Sequence, residues 1–247
     1  MKLIRVNDYN EMSWKAANIL ASQITLKSDS VLGLATGDTP LGMYKELVKL
    51  YNEKELDFAD VKSFNLDEYY GLDINNSQSY YYFMMNNLFK HINIPSANIN
   101  IPNGSAENIE EECLRYEKKI KEAGGIDIQI LGIGVNGHIG FNEPDVNFEA
   151  KTHLVTLDDV TIESNSRFFI NKDEVPTKAI SMGIGTIMSS KKIVLLACGS
   201  SKADIIAKAI NGKITPEVPA SILQLHQDVT VIVDKAAAAN LSRANQL

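Results

Sequence analysis

The sequence predicts a layered α/β protein with a mainly parallel central sheet, and three observations predict it. Short runs rich in Val, Ile and Leu alternate with longer segments of helical period. Several of the short runs are apolar at nearly every position, as strands covered by helices on both faces must be. Glycines, hydroxyls and charged residues then follow these runs directly, at the strand ends where open parallel sheets bind ligands.

The elements follow in chain order. A helix is expected over Glu11 to Lys27 and a strand over Val31 to Ala35. In the next helix, Leu41, Tyr44, Leu47, Val48 and Tyr51 recur at one-face spacing, with Thr39 placed to cap and Pro40 preset for the first turn. A strand over Val61 to Leu66 precedes a helix over Ser77 to Phe89, whose cluster Tyr80, Tyr81, Tyr82 and Phe83 supplies a buried face. An outward tyrosine there could touch a substrate. Ala106 to Glu122 reads as a helix and Ile126 to Ile133 as a strand. The stretch Gly134 to Thr152 is irregular and too long for a simple connector, so it is expected to build or cover a site. Further strands are expected over His153 to Leu157, Ile193 to Ala197 and Val229 to Val233, with helices over Ser201 to Ile210 and Pro219 to Leu225. Around Met182 and Met188 the sequence SMGIGTIM reads as packing, its glycines permitting close approach.

Length and composition narrow the function. At roughly 150 residues per domain, 247 residues permit one large domain as readily as two small ones; residues 1–247 are read as one. Hydrophobic residues at 45% and charged residues at 22% support a sizeable core, and exclude disorder over most of the chain. With 24 basic against 31 acidic side chains, the net charge of -7 offers little to nucleic acid or anionic membranes, although a local cationic pocket for a small anion remains open. Two distant cysteines, Cys113 and Cys198, make neither a disulfide framework nor a metal site. The start lacks an apolar secretory segment, and apolar runs such as IVLLACG are too short to cross a bilayer, so the cytoplasm is expected.

Four segments following strands carry the polar residues. Thr36, Gly37, Asp38 and Thr39 form a turn opening a helix, whose free donors and hydroxyls suit a phosphate, or which simply turns and caps. In GSSK, Ser200 or Ser201 could equally cap, but Lys202 in a first helical turn opposes the helix dipole, as if a bound anion compensated it. Arg167, in SNSRFF, is a second cation suited to bidentate phosphate contact. The adjacent Asp67 and Glu68 could be only a helix cap or a solvated turn, but one of them facing the crevice suffices for a general base, and Asp67 held near a sugar carbon would serve. His138 lies between glycines in a turn, which favours proton transfer over packing, and Glu143 could orient it or favour its charge. His91, His153 and His226 are scattered without metal-ligand spacing, so no metal is expected. No GxSxG elbow supports a seryl hydrolase.

Together LATGDTP, FNLDEYYGL, LGIGVNGHIGFNEP, SNSRFF and the lysine of GSSK, in this order and over nearly the whole chain, closely resemble the glucosamine-6-phosphate deaminases, also called isomerases. The resemblance implies a Rossmann-like three-layer α/β sandwich that binds no dinucleotide, uses no metal or other cofactor, and converts glucosamine 6-phosphate and water to fructose 6-phosphate and ammonia in amino sugar catabolism. It implies that Asp67 shuttles a proton between carbons 1 and 2, and that His138 handles the ring oxygen, tuned by Glu143. Asn136 stands where some members have an aspartate, which should weaken a histidine–carboxylate relay from that side. Thr36, the Asp38 backbone, Thr39, Arg167 and Lys202 resemble the family's phosphate set, with Gly37 in the same turn. The family's hexameric bacterial members use serine, arginine and lysine for a separate N-acetylglucosamine 6-phosphate site, and the matching positions here read as Val146, His153 and Val155. Weak or absent activation is therefore expected, with a monomer or small homo-oligomer; the chain end at Leu247 points the same way. Three alternatives remain: a 6-phosphogluconolactonase, a deaminase for the carbon-4 epimer, and a non-catalytic sugar-phosphate sensor.

Overall fold

The computed structural model describes residues 1–241; Leu247, on which one expectation rests, lies outside them. The chain opens with strand β1 (Lys2–Val6) and helix α1 (Tyr9–Leu26), capped by the Asp8 side chain. Strand β2 (Val31–Leu34), helix α2 (Asp38–Asn52) and strand β3 (Lys62–Asn65) complete the first half of the central sheet, with β5 (Ile99–Asn100) beyond a short strand β4 (Asp67–Tyr69) and helix α3 (Tyr80–Asn87). After helix α4 (Ile109–Glu122), strand β6 (Ile128–Leu131) returns beside β2. The remaining elements are β7 (His153–Thr156), α5 (Asp159–Ser166), β8 (Lys178–Ser181), α6 (Ile184–Met188), β9 (Lys192–Ala197), α7 (Ala203–Asn211) and β10 (Val229–Asp234).

Seven strands form one sheet in the order β1-β10-β9-β6-β2-β3-β5, and every pairing in it is parallel. Strand alternation sends Leu32, Leu34, Ile128, Ile130, Val194 and Leu196 to one face, where Met12, Leu20, Met43, Tyr44 and Met84 from α1, α2 and α3 cover them. Val31, Phe64, Leu131, Ile193 and Leu195 face the other way, under Tyr116, Ile120, Ile184, Ile187 and Ile206 from α4, α6 and α7. The expected three-layer arrangement is present, and the continuous apolar runs have the predicted cause.

The chain winds outward from β2 to β3 and β5, then reverses to β6, β9, β10. The order switches between β2 and β6, and an open sheet leaves a crevice at such a point.

A second, antiparallel sheet, β4-β8-β7, stands at the end of β3 and pairs Asp67 with Ser181 and His153 with Ser181. The expected strand over His153 to Leu157 thus exists but belongs here rather than among the parallel strands. Its residues are only half-buried, as a strand covered on one side would be. Two other expectations need correction. Helix α2 starts at Asp38 with Gly37 as its N-cap, not Thr39, because the chain enters the helix earlier, through a φ of 96° that glycine permits. Pro219–Leu225 is a 3-10 helix, with Ala220 and Leu223 three residues apart and both buried. Around Met182 the packing reading holds: a Cβ at Gly183 would lie 2.3 Å from the Lys151 carbonyl oxygen. Among the described residues, no helix is long and apolar enough to cross a membrane.

Candidate active site

The turn after β2 is held from behind by two tyrosines. Tyr44 donates its buried hydroxyl to the Ala35 carbonyl, and Tyr9 donates to the Asp38 carbonyl at 2.8 Å. No side chain caps α2, so the N–H groups of its first turn stay available, whereas α1, α3, α4 and α5 are each capped by a side chain. The turn after β9 is pinned likewise. Asp234, at the end of β10, accepts from the Gly199 N–H and from the Cys198 thiol, each at 3.1 Å. Burial, and then this carboxylate, push the thiol up to about 12. The turn leads through Ser200–Lys202 into α7, and Lys202 Nζ donates to the Ile133 carbonyl at 2.7 Å. Burial, reinforced by the nearby Arg167 charge, pulls the Lys202 ammonium below its ordinary range, a condition that an arriving anion would reverse.

Arg167 caps the C-terminus of α5 and reaches across the cleft mouth to Asp38, Nη2 to Oδ2 2.8 Å, both side chains more than half exposed. The Asp38 side chain therefore occupies the cation that the sequence pairs with a phosphate.

Asp67 and Glu68 separate as strand alternation requires. Glu68 turns inward and accepts from the N–H groups of Tyr69, Tyr80 and Tyr81, all at 2.9 Å, which makes it a cap for α3. Asp67 turns into the cleft, only 6% exposed, and no described residue donates a hydrogen bond to its carboxylate. Burial, with a smaller push from Glu68, raises its carboxyl to about 8. Gly140 beside it has φ 58°, a conformation that glycine adopts freely, and a Cβ there would stand 3.1 Å from Ser181 Oγ.

The irregular stretch after β6 does build the site. The His138 ring lies over Gly134, where a Cβ would meet it at 2.3 Å. Nδ1 pairs with Glu143 Oε2 at 3.2 Å and approaches Thr161 Oγ1 at 3.4 Å. Burial pushes the Glu143 carboxyl up, but hydrogen bonds from His138, Thr161 and Asn136, with the His138 charge, outweigh it and leave the group below its ordinary range. Asn136 donates Nδ2 to Glu143 Oε2 at 2.8 Å and accepts the His138 N–H on Oδ1. It therefore steadies the histidine's partner rather than the ring, and an aspartate there could not make that donation.

One cleft of about 790 Å³ brings together Thr36, Gly37, Asp38, Thr39, Asp67, His138, Arg167 and Lys202. Asn136 and Glu143 stand behind His138 and do not line it. The sequence reading missed part of the wall: Tyr69, Phe141 and Phe169 pack together, and Asn165 donates to the Tyr69 hydroxyl at 2.9 Å. Tyr80, foreseen only as a tyrosine able to face substrate, lines the cleft and stacks on Phe141. Thr161 was missed because α5 was missed; among its residues only Thr161 is buried, so no apolar stripe announces the helix. The other three histidines have structural partners or surroundings, as His91 to the Asn86 carbonyl and His226 to the Ser190 carbonyl illustrate. Among the described residues, no three His, Cys, Asp or Glu side chains converge as metal ligands.

Comparison with known proteins gives this geometry a context. Residues 9–232 match the family model described as glucosamine-6-phosphate isomerases/6-phosphogluconolactonase. A glucosamine-6-phosphate deaminase of Clostridium botulinum is 68% identical over 242 residues, covering 98% of this chain and 99% of the relative. Its counterpart in Clostridium acetobutylicum is 67% identical over 238 residues, covering 96% and 99%. Among solved structures, a monomeric glucosamine-6-phosphate deaminase superposes with a TM-score of 0.95 at 48% identity, over 97% of this chain and all of the other. A 6-phosphogluconolactonase from Thermotoga maritima, at 20% identity and TM-score 0.73 over 95% and 99% of the two chains, shares the fold.

Proposed function

The chain belongs to the glucosamine-6-phosphate isomerase/6-phosphogluconolactonase family, and we propose that it converts glucosamine 6-phosphate and water to fructose 6-phosphate and ammonia in amino sugar catabolism. Residues 1–247 act as one domain, and the reaction is placed in the cytoplasm, in keeping with two free cysteines. The observation that carries the reading is the buried Asp67 carboxylate, without a hydrogen-bond donor, in the same cleft as the His138–Glu143 pair and the uncapped turn at Gly37.

The phosphate is held by Thr36, the backbone at Gly37 and Asp38, Thr39, Arg167 and Lys202, and it displaces the Asp38 carboxylate from Arg167. That remote contact holds a flexible open chain against the reacting groups. With Nδ1 engaged by Glu143, the other nitrogen of His138 is left to protonate the ring oxygen as the carbon 1 to ring oxygen bond breaks, while the carbon-1 hydroxyl gives up its proton to water and becomes the carbonyl. Asp67 then removes the proton on carbon 2, giving an enolamine, and returns it to carbon 1. The carbon-2 iminium so formed adds water and expels ammonia. A carboxylate without hydrogen-bond donors suits the removal of the carbon-2 proton, because desolvation makes the ionised form a stronger base. Tyr69, Tyr80 and Phe141 wall this end of the cleft and limit water there.

The test is to mix purified protein with glucosamine 6-phosphate and quantify fructose 6-phosphate and ammonia together. Equimolar products are expected. A folded protein that releases neither product, or that binds the sugar without consuming it, would overturn the proposal.

A further inference from the structure

We propose that Tyr9 is a positioning residue for substrate phosphate, acting through the turn at Gly37; the inference rests on the phosphate assignment above. Tyr9 opens α1, far in sequence from the turn, yet its hydroxyl sits within the first turn of α2. It donates to the Asp38 carbonyl and accepts from the Gly42 N–H, both at 2.8 Å. Asp38 and Gly42 are four residues apart, the two ends of one rung of the helical ladder, so one hydroxyl ties that rung to α1.

The neighbouring residues are shaped for this contact. A Cβ at Gly42 would come within 3.0 Å of Tyr9 Cε1 and 2.2 Å of Ser13 Oγ, so only glycine lets the phenol and α1 approach so closely. At the other end of the turn, Tyr44 holds the Ala35 carbonyl. Two hydroxyls thus engage the carbonyl groups that bracket Thr36 and Gly37, and neither engages the N–H groups between them. Gly37 has φ 96° and α2 has no side-chain cap, so nothing within the turn itself fixes the direction of those donors. Pro40 lacks an N–H, which leaves fewer donors in the first turn and makes the aim of each matter more. Tyr44 is fully buried and its loss would damage the core, whereas Tyr9 is half-buried and lines the cleft. The Tyr9 hydroxyl is therefore the clamp that can be removed while the ring stays packed against the core.

Tyr9→Phe keeps the ring and deletes the two hydrogen bonds. Three quantities decide the matter, measured at a temperature where circular dichroism shows both proteins folded: kcat and KM for glucosamine 6-phosphate, and the Kd for inorganic phosphate by calorimetry. We expect KM and the phosphate Kd to rise together by roughly fivefold, as for one net hydrogen bond, with kcat within about twofold of wild type. A merely structural tyrosine would lower the melting temperature and leave the phosphate Kd unchanged. Unchanged phosphate affinity, or a fall in kcat at constant KM, would overturn the inference. Wild-type protein that binds phosphate but does not turn over the sugar would instead overturn the functional proposal, and the phosphate Kd of the variant would still decide the role of Tyr9.

Discussion

Asp67 combines a functional demand with a structural cost. Its carboxyl is raised by burial to about 8, so the unfolded chain ionises it near pH 4 while the folded chain keeps it protonated until near pH 8. The stability it contributes is full below the unfolded value and is lost as pH rises through that window. Asp67→Asn should therefore melt several degrees above wild type at pH 8 and close to it at pH 4, measured by thermal denaturation at both. The same variant should lose on the order of 10²–10⁴ in kcat while retaining phosphate binding. A parallel loss of binding would refute the assigned role. In the wild type, kcat/KM should rise with pH toward about 8 as the base ionises.

His138→Gln should impair turnover of cyclic substrate more than of open-chain substrate, and equal impairment would exclude ring opening as its task. Asp38→Asn frees Arg167 from its ion pair; the pair is exposed, so inorganic phosphate should bind only about two- to fivefold more tightly, and weaker binding would show that Asp38 holds Arg167 in place for the ligand. That most of these residues share one cleft was legible in the sequence because they directly follow apolar strands, at the ends where an open parallel sheet leaves its crevice. The Tyr9 contact was not, since nothing in a sequence announces a hydrogen bond between the start of one helix and the start of the next.

At the level of elements, Glu68 shows how two adjacent carboxylates take different tasks. A strand alternates its faces, so the residue beside the base points away from it, and here it caps α3 through the N–H groups of Tyr80 and Tyr81 while also accepting from the Tyr69 N–H of its own strand. Glu68→Gln would set an amide NH₂ against one of those donors. We expect a loss of roughly 1–3 kcal/mol, visible as a lower melting temperature with KM little altered. The long helices and the apolar strands were readable from periodicity. The polar α5 and the strands β1, β4, β5 and β8 were not: these strands carry no continuous apolar run like that of β9, and a helix that buries one threonine carries no stripe.

For the whole molecule, the seven-stranded sheet was predictable in kind because helices on both faces demand strands that are apolar throughout. The small antiparallel sheet depends on contacts between distant segments, as the pairing of Asp67 with Ser181 illustrates, and local pattern does not report such contacts. The effector expectation also belongs at this scale. Val146 is 84% exposed, and His153 uses Nδ1 on the Lys151 carbonyl, so these positions present no assembled anion site. N-acetylglucosamine 6-phosphate should leave the rate unchanged within about twofold, and sedimentation should show a monomer or small oligomer. Sigmoidal kinetics relieved by that sugar would reverse both expectations.

The two sheets differ greatly in what supports them. The seven-stranded sheet is buried between two extensive apolar clusters, while the buried apolar core beside the small sheet consists of Tyr69, Phe141, Leu157 and Ala179. Asp67 belongs to the small sheet, and the turn at Gly37 belongs to the large one. Partial opening under mild urea should begin in the weaker unit. Inactivation would then precede unfolding: catalysis would disappear at a urea concentration where far-ultraviolet dichroism is still largely native, and inorganic phosphate would still be bound there by the Gly37 turn and Lys202, more weakly for the loss of Arg167.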